Sequence, residues 1–544
     1  MKKNYLFLVL FSCLSMGVLA QKKPASLPKR PALVVGIVVD QMRYDYLYKY
    51  ADRYSDHGFK RLMREGLNCQ DNHYNYAPTV TAAGHTSVYT GTVPAVHGIV
   101  GNDWTDVASG KKVYCTDDST VVTVGTTGKT GWMSPKNLWT STITDQLKMA
   151  QNFRSKTIAI ALKDRGAILP GGHTADGAYW YDSKEGRWIT SSFYMKELPS
   201  WVQAFNGEER ATKYVKQGWN TLYPIQTYRQ SAEDNSPFEG KFPGEKTSAF
   251  PHDLKEGNAL EVLRSTPYGN QLTKEFALQA IDSEKLGQQG NTDFLAISFS
   301  STDYVGHNFG PQSIELEDTY LRLDRDIADI LSALDKKFGK DQVLVFLTAD
   351  HAVAEVPGFL QSKKMPGGVF DRAKATADMK KAIATAFGNV DLVVSEDNSQ
   401  IYFNHATMER LGIDYKKLFE VVRASYQKQE GFSELIDLRN IKGSNLNDLY
   451  SRLVTNGYHP ARSGDFMVLL KPQWFVGSKT GTTHSTLYAY DTHVPLLFYG
   501  WKVKPNEITA RTSISDISTT LANWLTCMEP SGSIGQIISK LGNP

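Results

Sequence analysis

The chain has 544 residues and a formal net charge of +3 at pH 7, from 60 basic and 57 acidic side chains. A balance so close to zero gives no electrostatic argument for nucleic acid or an acidic membrane as a partner. The length allows two or three domains, and one large α/β enzyme with insertions fits it equally well.

The first residues, Met1-Lys2-Lys3, precede an apolar run from Tyr5 to Leu10, and Val18-Leu19-Ala20 stands before Gln21. A positive start, a brief apolar stretch and small residues before a cut read as a secretory signal peptide cleaved after Ala20. The run falls short of the roughly 20 residues that span a bilayer. Lipid attachment at Cys13 is the alternative, which Phe11 fits poorly. No later stretch reads as a membrane helix, so a soluble periplasmic or secreted protein without a membrane span is expected. Lys2 and Lys3 leave with the signal, and the formal charge falls to +1. Cys13 leaves as well. Cys69, Cys115 and Cys527 remain, so at most one internal disulfide can form, and Cys69 with Cys115 is the expected pair.

Residues 21–31 (QKKPASLPKRP) form an exposed lead-in, and residues 32–544 are read as one catalytic domain. Leu33–Val39 (LVVGIVV) is a continuous apolar run that suits a strand buried on both faces of a parallel sheet, and it ends at Asp40. The segment around Thr79, Thr81 and His85 reads as a helix start, with Gly91 as its stop. Thr157–Leu162 is a second buried run, followed by Lys163-Asp164-Arg165; Phe294–Phe299 is a third, followed by Asp303 and His307. Residues 313–336 carry a helical period. Val343–Leu347 is a fourth strand run, ending at Asp350-His351, and residues 514–526 form a closing helix. Alternating strands and helices predict an α/β fold with a mostly parallel central sheet flanked by helices. Residues of about 180–290 and 360–460 break the alternation and are expected as cap insertions beside the active site.

Ligands in such sheets sit at the carboxyl ends of the strands, where four runs here deliver polar or charged residues. Zinc in a hydrolase takes His nitrogen and carboxylate oxygen, and two ions can clamp one phosphoryl group. Asp40, Asp303 with His307, and Asp350 with His351 supply those donors; each alone is weak, and their joint appearance at three strand ends is not. A hydroxyl at a helix N-terminus faces free N–H groups and the positive end of the dipole, which suits phosphate. Thr79 and Thr81 both meet that description, and spacing does not choose between them. Nor does it choose between His484 and His493 in GTTHSTLYAYDTH. His85, His97, His173 and His459 read as structural or supporting residues, and Asp45 as a helix-start or loop residue. The Gly125–Thr130 stretch lacks the first glycine of a phosphate loop, and Ser425-x-x-Lys428 lies too near Lys479-Thr480-Gly481 for a penicillin-binding site.

In order, Asp40, Thr81, Asn102, Asp303/His307, Asp350/His351 and His484 resemble the alkaline phosphatase superfamily, in its nucleotide pyrophosphatase/phosphodiesterase-like branch. The segments PTVTAAGHTSVYTGTVPAVHGIVGND, LKDRGAILPGGHTADGAYWYD, STDYVGHNFGP and TADHAV look most like the PafA-type periplasmic alkaline phosphatases of Bacteroidetes. The resemblance spans nearly the whole mature chain. It implies Thr81 as nucleophile and itself a zinc-binding position, Asp40, Asp350 and His351 on the zinc that activates it, and Asp303, His307 and His484 on a second zinc facing the leaving oxygen. It implies Asn102 on a phosphate oxygen, and Lys163 and Arg165 as a pair seen in monoesterase members. A sulfatase would need a modifiable Cys or Ser at the nucleophile, followed by Pro and Arg, and TAAGH has neither. The expectation is therefore a di-zinc monoester phosphatase working through a phosphothreonine on small phosphorylated metabolites, releasing inorganic phosphate as a monomer. A phosphodiesterase on the same core and a noncatalytic binder of phosphorylated glycans are the competing readings.

Overall fold

The computed structural model describes residues 30–539. The expected signal peptide and Cys13 lie outside the described residues.

The four apolar runs are adjacent strands. Leu33–Val39 lies at the centre, parallel to Asp293–Phe299 on one side and to Val343–Thr348 on the other. Asp293–Phe299 pairs in parallel with Thr157–Ala161, and that strand with Gly177–Asp182. Every residue of these five strands is buried, which is why the first four read as unbroken apolar runs rather than alternating ones. Antiparallel strands extend the sheet on both sides: Leu496–Gly500 against Val343–Thr348, and Arg187–Ser191 against Gly177–Asp182. Among the described residues ten strands form the sheet.

Helices cover its faces. Ile314–Phe338 buries Leu316, Leu323, Ile327, Ile330 and Leu334 at the expected spacing, and Asp516–Leu525 closes the chain's folded part. The helix Thr81–Thr90 is buried along its whole length and stops at Gly91, whose φ of 65° is the left-handed conformation a glycine adopts without strain.

The two expected cap segments differ. Residues 180–290 are not a separate layer at their start: Gly177–Asp182 and Arg187–Ser191 extend the main sheet, and Trp188, Val202, Phe205, Trp219 and Phe276 belong to the main core. Their aromatic, aperiodic sequence reflects packing around Phe276, which meets Trp188 at 4.4 Å between ring centroids. Residues 360–460 contribute three strands to a second sheet. Val393–Asp397, Gln400–Phe403 and Phe432–Asp437, joined by Phe466–Leu470, make a four-stranded antiparallel sheet. The helices Arg372–Phe387 and Tyr415–Tyr426 pack on it around a separate apolar cluster that includes Met379, Leu418, Val422 and Phe466.

The expected disulfide is absent. Cys69 and Cys115 are both buried thiols, held in different apolar clusters, Cys69 in the main core and Cys115 beside Trp104 and Leu138. Burial pushes the Cys69 thiol up to about 12, so it stays protonated. Nearness in sequence did not bring the pair together in space.

Candidate active site

All four central strand runs end at one place. Asp40 follows Leu33–Val39; Lys163 follows Thr157–Ala161 and Arg165 opens the helix Asp164–Gly171; Asp303 and His307 lie one turn apart on Ser301–Phe309; Asp350 and His351 follow Val343–Thr348. The helix Thr81–Thr90 is pressed onto this edge: a methyl group on Gly84 would sit 2.1 Å from the Asp350 carbonyl oxygen, so only glycine permits the approach. His484 arrives on the loop before the helix Ala489–Thr492.

These residues form two donor groups. Asp40, Asp350 and His351 place one ligand atom each within 4.8 Å of the others, and so do Asp303, His307 and His484. The groups adjoin, since the His351 and His484 rings stack at 3.5 Å. Each imidazole is aimed by a main-chain carbonyl on its Nδ1: Ala352 for His351 at 3.0 Å, Thr482 for His307 at 2.8 Å, and Thr79 for His484 at 2.7 Å. That leaves every Nε2 facing inward, the arrangement in which an outer oxygen fixes a ligating histidine.

The donor chemistry suits a divalent metal. Asp40 Oδ1, Asp350 Oδ2 and His351 Nε2 are buried and have no hydrogen-bond partner, a state that costs free energy unless something else satisfies them. Burial, then neighbouring imidazoles, drives His484 far below its ordinary range, and burial lowers His351, which favours the neutral rings that can offer a lone pair. Burial and the Asp350 charge raise Asp40. Asp303 is low despite its burial, because the His307 and Lys163 charges outweigh it. Three buried carboxylates, Asp40, Asp303 and Asp350, gathered at one place are a concentration of negative charge that a cation offsets.

Thr81 is linked to both groups through Lys163. It is the first residue of its helix, and Val80, not Thr81, occupies the cap position. Its Oγ1 lies 3.4 Å from Lys163 Nζ. Thr79, its competitor by sequence, is fully buried and donates its hydroxyl to the Thr486 carbonyl at 3.1 Å. Lys163 Nζ also reaches Asp40 Oδ2 at 2.7 Å and Asp303 Oδ2 at 2.6 Å, one carboxylate of each group. Asn102 Oδ1 accepts the Ala82 N–H at 2.9 Å, which fixes the amide beside the helix start. Arg165 Nη1 donates to the Tyr114 hydroxyl at 3.0 Å, while its Nε is buried without a partner. The site thus brings together a hydroxyl, two cations, an amide and two sets of metal donors, the equipment for displacing an oxygen at phosphorus.

Other histidines read from sequence lie outside the donor sets. His85 bridges the Thr81 carbonyl at 2.9 Å and Ser298 Oγ at 2.8 Å. His97 contacts Ser87 Oγ at 3.0 Å, and His173 contacts the Leu138 carbonyl at 3.1 Å. His459 meets Trp139 edge-on at 4.8 Å. His493 joins Asp71 and His73 in a third cluster. There the Asp71 carboxylate, Thr492 Oγ1 and the Gln70 carbonyl already engage the ring nitrogens at 2.8, 3.1 and 2.9 Å. Asp45 pairs with Arg43 at 2.8 Å. Sequence reasoning missed Tyr114, which holds Arg165, and Gln41, which touches both donor groups.

Known proteins resemble the chain over most of its length. The family model for type I phosphodiesterase / nucleotide pyrophosphatase matches residues 34–495. The alkaline phosphatase PhoV of Synechococcus elongatus is 48% identical over 545 residues, covering 97% of this chain and 98% of the relative. A protein of Myroides odoratus named calcium-transporting ATPase is also 48% identical, over 97% of this chain and 96% of the relative. The alkaline phosphatase PafA of Elizabethkingia meningoseptica is 45% identical over 96% of this chain and 97% of the relative. The crystal structure of wild-type PafA superimposes with a TM-score of 0.91, covering 95% of this chain and 99% of that one.

Proposed function

The chain belongs to the type I phosphodiesterase / nucleotide pyrophosphatase family, and we propose that within it this protein is an exported alkaline phosphatase that hydrolyses phosphate monoesters. The observation that carries the reading is the position of Lys163, 3.4 Å from the Thr81 hydroxyl and buried with it among the two donor groups. A monoester dianion has one more charged oxygen than a diester, and a second cation at the nucleophile is of use chiefly to that oxygen. The near-full-length likeness to PhoV and PafA, both alkaline phosphatases, supports the same activity.

In this reading Asp40, Asp350 and His351 hold one zinc ion, and Asp303, His307 and His484 hold another. When bound, the two ions supply Lewis acidity, which favours the ionised hydroxyl of the nucleophile and offsets charge on the departing alcohol. The protein's own groups do the rest. Thr81 attacks phosphorus and takes the phosphoryl group, giving a phosphothreonine that water then hydrolyses to inorganic phosphate. Asn102, with its oxygen spent on the Ala82 N–H, turns its NH2 toward a phosphate oxygen. Lys163 and Arg165 neutralise the remaining charge, Arg165 as a planar fork. Tyr114 keeps that fork in place, because its hydroxyl accepts from Arg165 and donates to Asp164 Oδ1 at 2.8 Å.

Small phosphorylated metabolites are the substrates, and the protein acts as a monomer in the periplasm or outside the cell after cleavage behind Ala20. Among the described residues no helix is long and apolar enough to cross a membrane. Metal analysis of the purified protein, with parallel monoester and diester kinetics, tests the reading. Two zinc ions and a strong monoester preference are expected; a diester preference would make it a phosphodiesterase. Intact mass of the exported protein should begin at Gln21, and a lipid-modified Cys13 would refute soluble export.

A further inference from the structure

Besides Lys163, a second residue that supplies no ligand ties the two donor groups to each other. Gln41 follows Asp40 at the end of the central strand and adopts a φ of 64°, a left-handed conformation that a non-glycine residue holds only under compulsion from its surroundings. Buried to 2% exposure, it is compelled at both ends. Its main-chain N–H donates to Asp350 Oδ1 at 3.1 Å, in the group around Thr81's expected zinc. Its side-chain Nε2 donates to Asp303 Oδ1 at 2.6 Å, in the other group, and also faces the Asp303 carbonyl oxygen at 3.5 Å. Both neighbours of Nε2 are acceptors, so the amide can face them only with its NH2. Space for the other end comes from Gly306, where an added methyl group would lie 1.9 Å from Gln41 Oε1.

We infer that Gln41 is a positioning residue that sets the Asp303 carboxylate, and with it the second metal, at a fixed place relative to the first. The turn at Gln41 serves this: an extended residue there would carry the side chain on past the strand end, whereas the left-handed turn folds it back across the site. Asp303 has two oxygens to orient. With Oδ1 held by an amide and Oδ2 facing Lys163 at 2.6 Å, its rotamer is fixed from both sides before any metal arrives. Two-metal sites depend on a separation of roughly 3.5–4 Å between ions, and partners that orient ligating carboxylates commonly affect metal affinity by about 10- to 100-fold.

The inference rests on the reading of both groups as metal ligands, and the experiment separates the two. Zinc stoichiometry and affinity are measured in metal-buffered solution for wild type, Gln41→Met, which keeps the length and removes the donor, and Gly306→Ala, which displaces the amide without removing it. The expected result is two zinc ions on wild type. Each variant should show a 10- to 100-fold loss of affinity at one ion and little change at the other, with kcat restored as free zinc is raised. Should Gln41→Met fail to fold, Gly306→Ala carries the test alone. If wild type itself binds no zinc, the metal reading fails. If wild type binds two and the variants bind both with wild-type affinity, or lose both equally and are not rescued by zinc, the positioning role of Gln41 is overturned.

Discussion

Replacing Lys163 and Arg165 together by alanine should convert this enzyme from a monoesterase toward an indiscriminate phosphoesterase. Lys163 Nζ lies 3.4 Å from the Thr81 hydroxyl, and the residue is 4% exposed. Two unit charges at that separation interact by about 5 kcal/mol at an effective dielectric constant of about 20. Charge in the transition state is spread over several oxygens, so the realised loss is nearer the about 2–4 kcal/mol seen when one donor to a developing oxyanion is removed, or roughly 30- to 1,000-fold in rate. The loss should fall on kcat/KM for monoesters and be several-fold at most for diesters, whose corresponding oxygen is capped. Lys163 also contacts Asp40 and Asp303 at 2.7 and 2.6 Å, so zinc content is measured on the same preparations to show that both ions remain. Parallel steady-state kinetics on an aryl monoester and its methyl diester give the answer. Equal losses on both substrates, with zinc retained, would refute the monoester-specific role; no loss on either would make the pair a mere strand end.

Other expectations follow from the same geometry. Asp303→Ala or His307→Ala should lower zinc stoichiometry from two toward one, because each removes a donor from the group that also includes His484; elemental analysis showing two tightly held ions in either variant would exclude these residues as ligands. Stability should fall with acidity partly through His73, which burial, then the charges of Arg511 and His493, push down to about 4. Above about pH 6.5 the ring is neutral in both folded and unfolded chains; between about 6.5 and 4 only the unfolded chain takes the proton, so up to about 3 kcal/mol is lost as pH falls through that window. Urea unfolding of wild type and His73→Gln at pH 7 and pH 5 should show a smaller pH effect in the variant, and equal effects would contradict the assignment.

Much of the fold was legible because it rests on local pattern. Leu33–Val39, Thr157–Ala161, Asp293–Phe299 and Val343–Thr348 are covered on both faces, and the residues that follow them are polar because they line a site. The closing strands were not legible. Gly177–Asp182 and Arg187–Ser191 carry Trp180, Trp188 and paired polar residues, so they read as part of an insertion, although hydrogen bonding makes them strands of the main sheet. Within the site, spacing could not separate Thr79 from Thr81. The difference is a contact 407 positions away, the Thr79 bond to the Thr486 carbonyl. His484 and His493 were likewise sorted only by their distant partners, Thr79 and Gln70. Gln41 gave no signal at all, since a glutamine after a strand looks like any turn residue until its φ and its two carboxylate partners are known.

The residue that carries the phosphoryl group during turnover identifies the nucleophile. Thr81 is the hydroxyl that opens the helix and meets Lys163, whereas Thr79 points its hydroxyl at a carbonyl. Enzyme mixed with a fast monoester, quenched in acid within a turnover and digested, should yield one phosphopeptide. Fragmentation mass spectrometry should place the phosphate on Thr81, and Thr81→Ala should abolish it while both zinc ions are retained. Phosphate on Thr79, or full activity persisting in Thr81→Ala, would contradict this assignment.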